Sequence, residues 1–351
     1  MSISLPTTLG ALDRQRYAPI GIRDELRRNL RAALRDGQEL FPGIVGYEHT
    51  VLPQLANAVL ARHDIILLGL RGQAKTRIAR LLPALLDEWR PMIADTPLRE
   101  HPLAPVSDAA RALIDEAGDD TPISWLHREE RYGEKLATPD VTVADLIGDV
   151  DPLKAAHQQL DLSDERVIHY GIIPRTNHGI FCINELPDLA PRIQVALLNV
   201  LEEQDIQIRG FPLRIPLDVL MIFTANPEDY TNRGSIITPL KDRIASQIAT
   251  HYPPAIAQAR SITESEAWLD RSGGPTVSMP DRLAEIIEGI AFHGRQSEYI
   301  DQKSGVSARL SIAARELVHS QVERRWLVCG PDEPPVPRLL DLMHCTPAII
   351  G

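Results

Sequence analysis

Ile65-Ile66-Leu67-Leu68-Gly69-Leu70-Arg71-Gly72-Gln73-Ala74-Lys75-Thr76 is the stretch that decides the fold. Four aliphatic residues in a row read as a short strand buried on both faces. GLRGQAKT then reads as a glycine-bearing turn, and a helix follows with Ile78, Leu81, Leu82 and Leu85 facing inward. That helix is expected to run to about Trp89, bent at Pro83. Such a turn lets backbone N–H groups point into one small volume, and the helix N-terminus adds a favourable dipole. The result is a cradle for a polyphosphate, with Gly69, Gly72, Gln73 and Ala74 supplying its backbone. Lys75 is placed to reach the β- and γ-phosphates, and Thr76 to offer a hydroxyl to Mg²⁺. The common pattern is G-x-x-x-x-G-K-[ST], and here Ala74 stands at its second glycine. A methyl group penalises positive φ, so this loop must either bend differently or hold strain.

The second informative stretch is Gly179-Ile180-Phe181-Cys182-Ile183-Asn184-Glu185. A hydrophobic strand ending in a carboxylate places that group beside the γ-phosphate, where Glu185 can orient and polarise an attacking water. The frequent form of this strand ends in Asp-Glu. Asn184 replaces the Asp here, which leaves an oxygen for the metal shell but no charge. A third apolar strand is expected at Val219–Ala225, with Ile193–Glu203 helical between the two and Gln207–Pro216 as a hairpin or exposed loop. Strands alternating with helices point to an α/β fold with a parallel sheet.

Outward from this centre the pattern changes twice. Residues 1–20 read as an irregular arm, and 22–36 as a helix with Ile22, Leu26, Leu30 and Leu34 on one face. The basic cluster Arg23–Arg35 reads as the solvated face of that helix. Residues 48–62 form another helix, and 91–120 a connection with one helix near 107–117. Tyr252-Pro253-Pro254 breaks the alternation, and 255–270, 280–293 and 307–325 then read as helices. The expected domains are an arm and helix at 1–38, an α/β nucleotide-binding domain at 39–252, a helical lid at 255–330, and a tail at 331–351. The tail shows no evident terminal helix and is consistent with a truncated chain.

The 351 residues carry a formal net charge of −11, with 44% hydrophobic and only 5% aromatic residues, so the core is mainly aliphatic. An acidic chain argues against a general nucleic-acid binder, since phosphate neutralisation dominates such binding. The three cysteines form no Cys-x-x-Cys pair, and Cys182 reads as a small core residue. There is no signal-peptide stretch and no apolar run of the roughly 18 residues a membrane span requires, so a cytoplasmic location is the default expectation.

The ordered series Ile44-Val45-Gly46, GLRGQAKT, GIFCINEL, FTANPEDY, PLKDRI and GVSARLSI resembles the AAA+ motor subunit of magnesium chelatase and its MoxR-type relatives. The resemblance covers roughly residues 40–325. It implies an AAA+ P-loop domain with a five-stranded parallel sheet of order 5-1-4-3-2, followed by a small all-helical lid. It implies ATP and Mg²⁺ as cofactors, with Thr76 and Asn184 at the metal. Asn226 matches sensor 1, Arg243 the arginine finger acting on a neighbour's ATP (with Arg233 as the alternative), and Arg309 sensor 2. Ile44 and Val45 would line the adenine site, and Gln207–Arg214 would be an inserted hairpin that contacts a substrate or partner. Family members assemble as rings, usually hexamers, and commonly work with a partner carrying a von Willebrand factor A domain. Three functions follow from the same motifs: a chelatase motor, a MoxR-like chaperone, or a nucleotide-dependent switch with weak hydrolysis. A transcription-activating motor shares the core, but a GAFTGA-like loop and a DNA-binding helix pair are not evident.

Overall fold

The computed structural model describes residues 5–161, 164–208, 214–227, 234–300, 306–330 and 335–350. The chain divides into two compact units. The first is Met1–Phe41, Gln54–Leu68 and Thr76–Ile248; the second is Pro42–Pro53, Gly69–Lys75 and Ala249–Gly351.

The first unit is built on a five-stranded sheet. Its strands, in chain order, are β1 (Ile65–Leu68), β2 (Tyr132–Leu136), β3 (Gly179–Asn184), β4 (Val219–Ala225) and β5 (Ser246–Ala249). Their spatial order is β5-β1-β4-β3-β2, the order expected from the sequence. The pairings of β1 with β4, β4 with β3, and β3 with β2 are all parallel. β3 and β4 are buried at every position, as strands covered on both faces must be, which is why their sequences are unbroken apolar runs rather than alternating ones. Phe181, Ile183, Met221 and Phe223 pack with Ile193, Leu197 and Val200 in one hydrophobic core. The register sets Leu68 beside Ala225 and Phe223 beside Ile183. Parallel pairing therefore brings the carboxyl ends of β1, β3 and β4 to one edge, the side on which ligands bind in open α/β sheets.

Several expectations are corrected. The helix after the glycine-bearing turn covers only Lys75–Leu81; a 3₁₀ turn takes Leu82–Leu85, and Trp89 opens a strand, Trp89–Ile93, paired antiparallel with Ile123–His127. Pro83 lacks the N–H that would continue the α-helical ladder, so it ends the helix rather than bending it. The arm at 1–20 contains a helix, Leu9–Arg14, capped by the Thr8 side chain. Ile193–Glu203 is two short helices, Pro191–Ala196 and Leu198–Glu202. The hairpin at 207–216 is present as Asp205–Gln207 paired with Arg214–Pro216, while residues 209–213 lie outside the described residues.

The helix Ile22–Arg35 also differs from its reading. Ile22, Leu26 and Leu30 are buried, but Leu34 is 49% exposed. Steps of four residues overshoot a 3.6-residue turn by about 40° each, so the fourth member of the row has rotated off the buried face. Arg23 and Glu25 are not on a solvated face. Arg23 Nη2 donates to both oxygens of buried Asp64 at 2.8 and 2.9 Å, and Asp64 Oδ1 also accepts the Met221 N–H at 2.8 Å. Glu25 takes a two-pronged ion pair from Arg131 at 2.7 and 2.6 Å, with both side chains at 2% exposure or less. Charged residues read as solvated are thus the pins that fasten this helix to the sheet's amino-terminal end.

The second unit carries the helices Ile256–Glu266, Asp281–Gln296 and Ala308–Cys329. The tail is not helix-free: Leu339–Cys345 is a 3₁₀ helix and Thr346–Ile350 an α-helix. Cys345 is fully buried against Ile287, Ala314 and Val318, and Asp341 pairs with Arg325 at 2.6 Å. Among the described residues no helix is long and apolar enough to cross a membrane.

Arg131→Met leaves Glu25 buried without its ionic partner, holding only the Asp87 N–H at 2.8 Å. It is expected to lower the urea unfolding free energy by about 3–5 kcal/mol, whereas Glu25→Leu combined with Arg131→Met recovers most of that loss. A double variant no more stable than the single one would show that packing around Arg131, rather than charge pairing, holds the helix.

Candidate active site

β1 ends at Leu68 and the chain enters the loop Gly69–Lys75. The loop is shaped by close approaches that only glycine permits. A Cβ on Gly69 would lie 1.9 Å from Thr250 Oγ1 and 2.2 Å from Gln73 Oε1, well inside contact distance. Those two atoms are bonded to each other, Thr250 Oγ1 donating to Gln73 Oε1 at 2.7 Å. Gly72 has φ +73°, and a Cβ there would meet Ser307 Oγ at 2.1 Å. Ser307 caps the long helix Ala308–Cys329, so the first turn of that helix touches the loop. Arg309 lies in this turn, exposed, its N–H donating to Ser307 Oγ at 3.2 Å.

Ala74 adopts φ +54°, the backbone that the glycine of the common pattern would supply. Of the two alternatives open from the sequence, the loop holds strain rather than bending differently. The Lys75 ammonium donates to the carbonyls of Gly69 at 2.5 Å and Leu70 at 2.8 Å. Tyr47 buttresses the loop, its hydroxyl lying 3.0 Å from the Gln73 carbonyl and 2.7 Å from that of His251. Burial pushes the Tyr47 phenol up to about 12, so it remains a donor. Tyr252 adds a second strut, its hydroxyl donating to the Arg71 carbonyl at 2.8 Å. Ile44 is buried and Val45 half-buried, in the segment Pro42–Pro53 of the same unit.

In the first unit the carboxyl edge of the sheet gathers a second set of residues. Thr76 Oγ1 donates to Asn184 Oδ1 at 3.0 Å, and Thr224 Oγ1 donates to the same oxygen at 3.1 Å. Thr224 Oγ1 also accepts the Glu185 N–H at 3.1 Å. Glu185 itself sits at φ +55°, a strained backbone for a non-glycine residue and one that clusters at functional positions. Asn226, beyond the end of β4, is 1% exposed. Cys182 Sγ approaches Asn184 Oδ1 at 3.7 Å. Burial pushes the Cys182 thiol up to about 12, which keeps it protonated and inert. The expectation of a small core residue there is met.

Arg243 stands apart from both sets. It ends the helix Thr238–Arg243, and its Nε and Nη2 pair with Glu202 at 2.6 and 2.5 Å. The acid it meets is not the adjacent Asp242. Arg233, the alternative finger, lies outside the described residues.

Magnesium demands oxygen ligands and is usually held by one or two protein groups plus the substrate's phosphates. The Thr76 hydroxyl and the Asn184 amide oxygen, 3.0 Å apart, fit that donor chemistry, though both are neutral. Among the described residues no group of three or more His, Cys, Asp or Glu could hold a metal by itself.

The residues that sequence reasoning missed are the supports: Tyr47, Thr224, Thr250, Tyr252 and Ser307. Only Tyr252 carries a sequence signal, the Tyr-Pro-Pro break, and that signal marks a boundary rather than a strut.

A strand–glycine loop–helix, the sheet order 5-1-4-3-2 and an acid at the end of β3 are the features of an AAA+ P-loop fold. Residues 163–246 match the family model described as the sigma-54 interaction domain. The chain is 35% identical over 167 residues to the hydrogenase transcriptional regulatory protein HoxA of Cupriavidus necator, covering 44% of this chain and 34% of that protein. It is 26% identical over 156 residues to a Nif-specific regulatory protein of Azospirillum lipoferum, covering 42% and 25%. The chain thus spans about a third or less of the curated relatives it matches. Among solved structures it is similar to NtrX from Brucella abortus in complex with ADP, at TM-score 0.47, 14% identity, 93% of this chain and 54% of that one. It is also similar to the complex of magnesium chelatase subunits BchI and BchD, at TM-score 0.46, 20% identity, 84% and 78%.

Ala74→Gly releases the left-handed strain while adding some chain entropy to the unfolded state. The expected net is a gain of up to about 1 kcal/mol in unfolding free energy. A loss of stability in urea titration would show that the methyl group packs usefully and outweighs its strain.

Proposed function

We propose that this chain is an ATP-hydrolysing AAA+ motor that acts on a protein partner, in the manner of the magnesium chelatase motor subunit or a MoxR-like chaperone. The observation that carries the reading is the ordered edge Thr76–Asn184–Thr224–Glu185, reached from a glycine loop that ends in Lys75. Lys75 exchanges the loop carbonyls for the β- and γ-phosphates. Glu185 orients the attacking water and takes its proton, with Asn226 helping to place that water. Thr76 and Asn184 would hold Mg²⁺ together with the phosphates; the ion supplies charge neutralisation on the transferred group. Arg309 reaches the γ-phosphate from the first turn of its helix. Arg243 acts on the ATP of a neighbouring copy in a ring once it leaves Glu202, and that pair is half-exposed and weak enough to exchange. The ring, its hexameric size and a von Willebrand factor A domain partner belong to this reading.

A second reading is favoured by the match at residues 163–246 and by the similarity to HoxA. Here the same motor would act on transcription machinery, as that regulator's name implies. The 351 residues contain no GAFTGA-like sequence, and this favours the first reading.

Glu185→Gln is expected to retain ATP binding and lose turnover by about 100-fold or more. Turnover per subunit should rise with protein concentration in the parental chain and stay flat in Arg243→Ala. A parental rate in Glu185→Gln removes the assigned base, and a concentration-independent parental rate removes the ring. Asn184→Asp adds a charge at the metal and should lower the Mg²⁺ concentration for half-maximal turnover; an unchanged magnesium titration places Asn184 away from the ion.

A further inference from the structure

Arg295 lies in the last turn of the helix Asp281–Gln296 and makes two contacts in different directions. Its guanidinium carbon is 4.1 Å from the centroid of the Tyr252 ring, and its Nε donates to the Val306 carbonyl at 2.8 Å. A planar guanidinium can do both at once, stacking through its face and donating through its edge. Each contact leads to a different candidate nucleotide group. The Tyr252 hydroxyl donates to the Arg71 carbonyl, inside the loop Gly69–Lys75, at 2.8 Å. Val306 immediately precedes Ser307, which caps the helix that carries Arg309 and sits against Gly72 of the same loop. Val306 is buried, and a Cβ on Gly294 would lie 3.1 Å from its side chain, so the end of one helix packs closely on the start of the next. All of these residues belong to the second unit. Neither contact of Arg295 is with a carboxylate, and its Nη1 is buried without a hydrogen-bond partner. What this side chain supplies is direction rather than ion pairing.

We propose that Arg295 is a positioning residue for the third phosphate of a nucleotide: by holding the Tyr252 ring and the Val306 carbonyl together, it sets Arg309 relative to the loop Gly69–Lys75. The assignment rests on the reading of Gly69–Thr76 as an ATP site and of Arg309 as its γ-phosphate contact. Arg295 touches no phosphate itself. ADP, bound through the loop backbone and Lys75, needs neither Arg309 nor its placement. A charge-assisted hydrogen bond to the γ-phosphate depends on distance and angle, so a displaced Arg309 loses it first.

The test uses the full chain with Mg²⁺, and equilibrium binding of ADP and of a non-hydrolysable ATP analogue with an imido β–γ bridge. The parental chain is expected to hold the analogue about tenfold more tightly than ADP. Arg295→Met should remove most of that preference while leaving ADP affinity within about twofold of the parental value. Arg295→Lys keeps the charge but cannot lie over the ring and donate in its plane, so it should lose the preference too. In Arg309→Ala, where the γ-phosphate contact is already gone, adding Arg295→Met should leave the ratio unchanged. A folded Arg295→Met that keeps the parental ratio overturns the proposal, as does one that weakens both nucleotides equally or whose effect on the ratio adds in full to that of Arg309→Ala. If Arg295→Met does not fold, Arg295→Lys carries the same comparisons. A parental chain that binds neither nucleotide, or whose ratio survives Arg309→Ala, overturns the reading of the site and the proposal with it, so the two failures are distinguishable.

Discussion

One amide oxygen organises the carboxyl edge of the sheet. Asn184 Oδ1 accepts from Thr76, at the start of the helix after the phosphate loop, and from Thr224 on the neighbouring strand. The Cys182 thiol approaches the same oxygen at 3.7 Å. Thr224 in turn holds the Glu185 N–H, and Glu185 turns into the left-handed region directly after the strand. The ends of β3 and β4 and the helix after β1 are thereby fixed to one point. An amide can do this without charge repulsion or pairing demands, which is a physical reason for Asn to be tolerated where an acid is more frequent.

Much of this was legible in the sequence because apolar runs and glycine turns act locally. β1, β3 and β4 announced themselves as aliphatic stretches, and their order followed from the motif series. The substitution at Ala74 was legible as a conflict, and the structure shows which side of it gave way. What was not legible depended on long-range pairing. The edge strand β2, Tyr132–Leu136, has half-buried residues and mixed polarity, so no apolar run marks it. The struts Tyr47, Thr250 and Tyr252 lie far along the chain from the loop they brace, and each looks like an ordinary residue of a turn. The charged face of the Ile22–Arg35 helix was misread for the same reason: nothing local shows that Glu25 will meet Arg131, more than a hundred residues later.

The phosphate loop and the long helix of the second unit meet through Gly72 and Ser307, where there is no room for even a methyl group. The two motifs are separated by more than two hundred residues in the chain, yet lie side by side.

The buried pins of the Ile22–Arg35 helix bear on how the chain can be divided. Judged by motifs alone, the residues up to Arg35 look dispensable, since none belongs to the motif series. Removing them would strip Arg131 of Glu25 and Asp64 of Arg23, leaving one guanidinium and one carboxylate stranded in the interior, the latter still holding the Met221 amide of β4. A minimal folded fragment of this protein therefore begins before residue 22, and its amino-terminal limit is set by charge neutrality inside the fold rather than by the position of the first sequence motif.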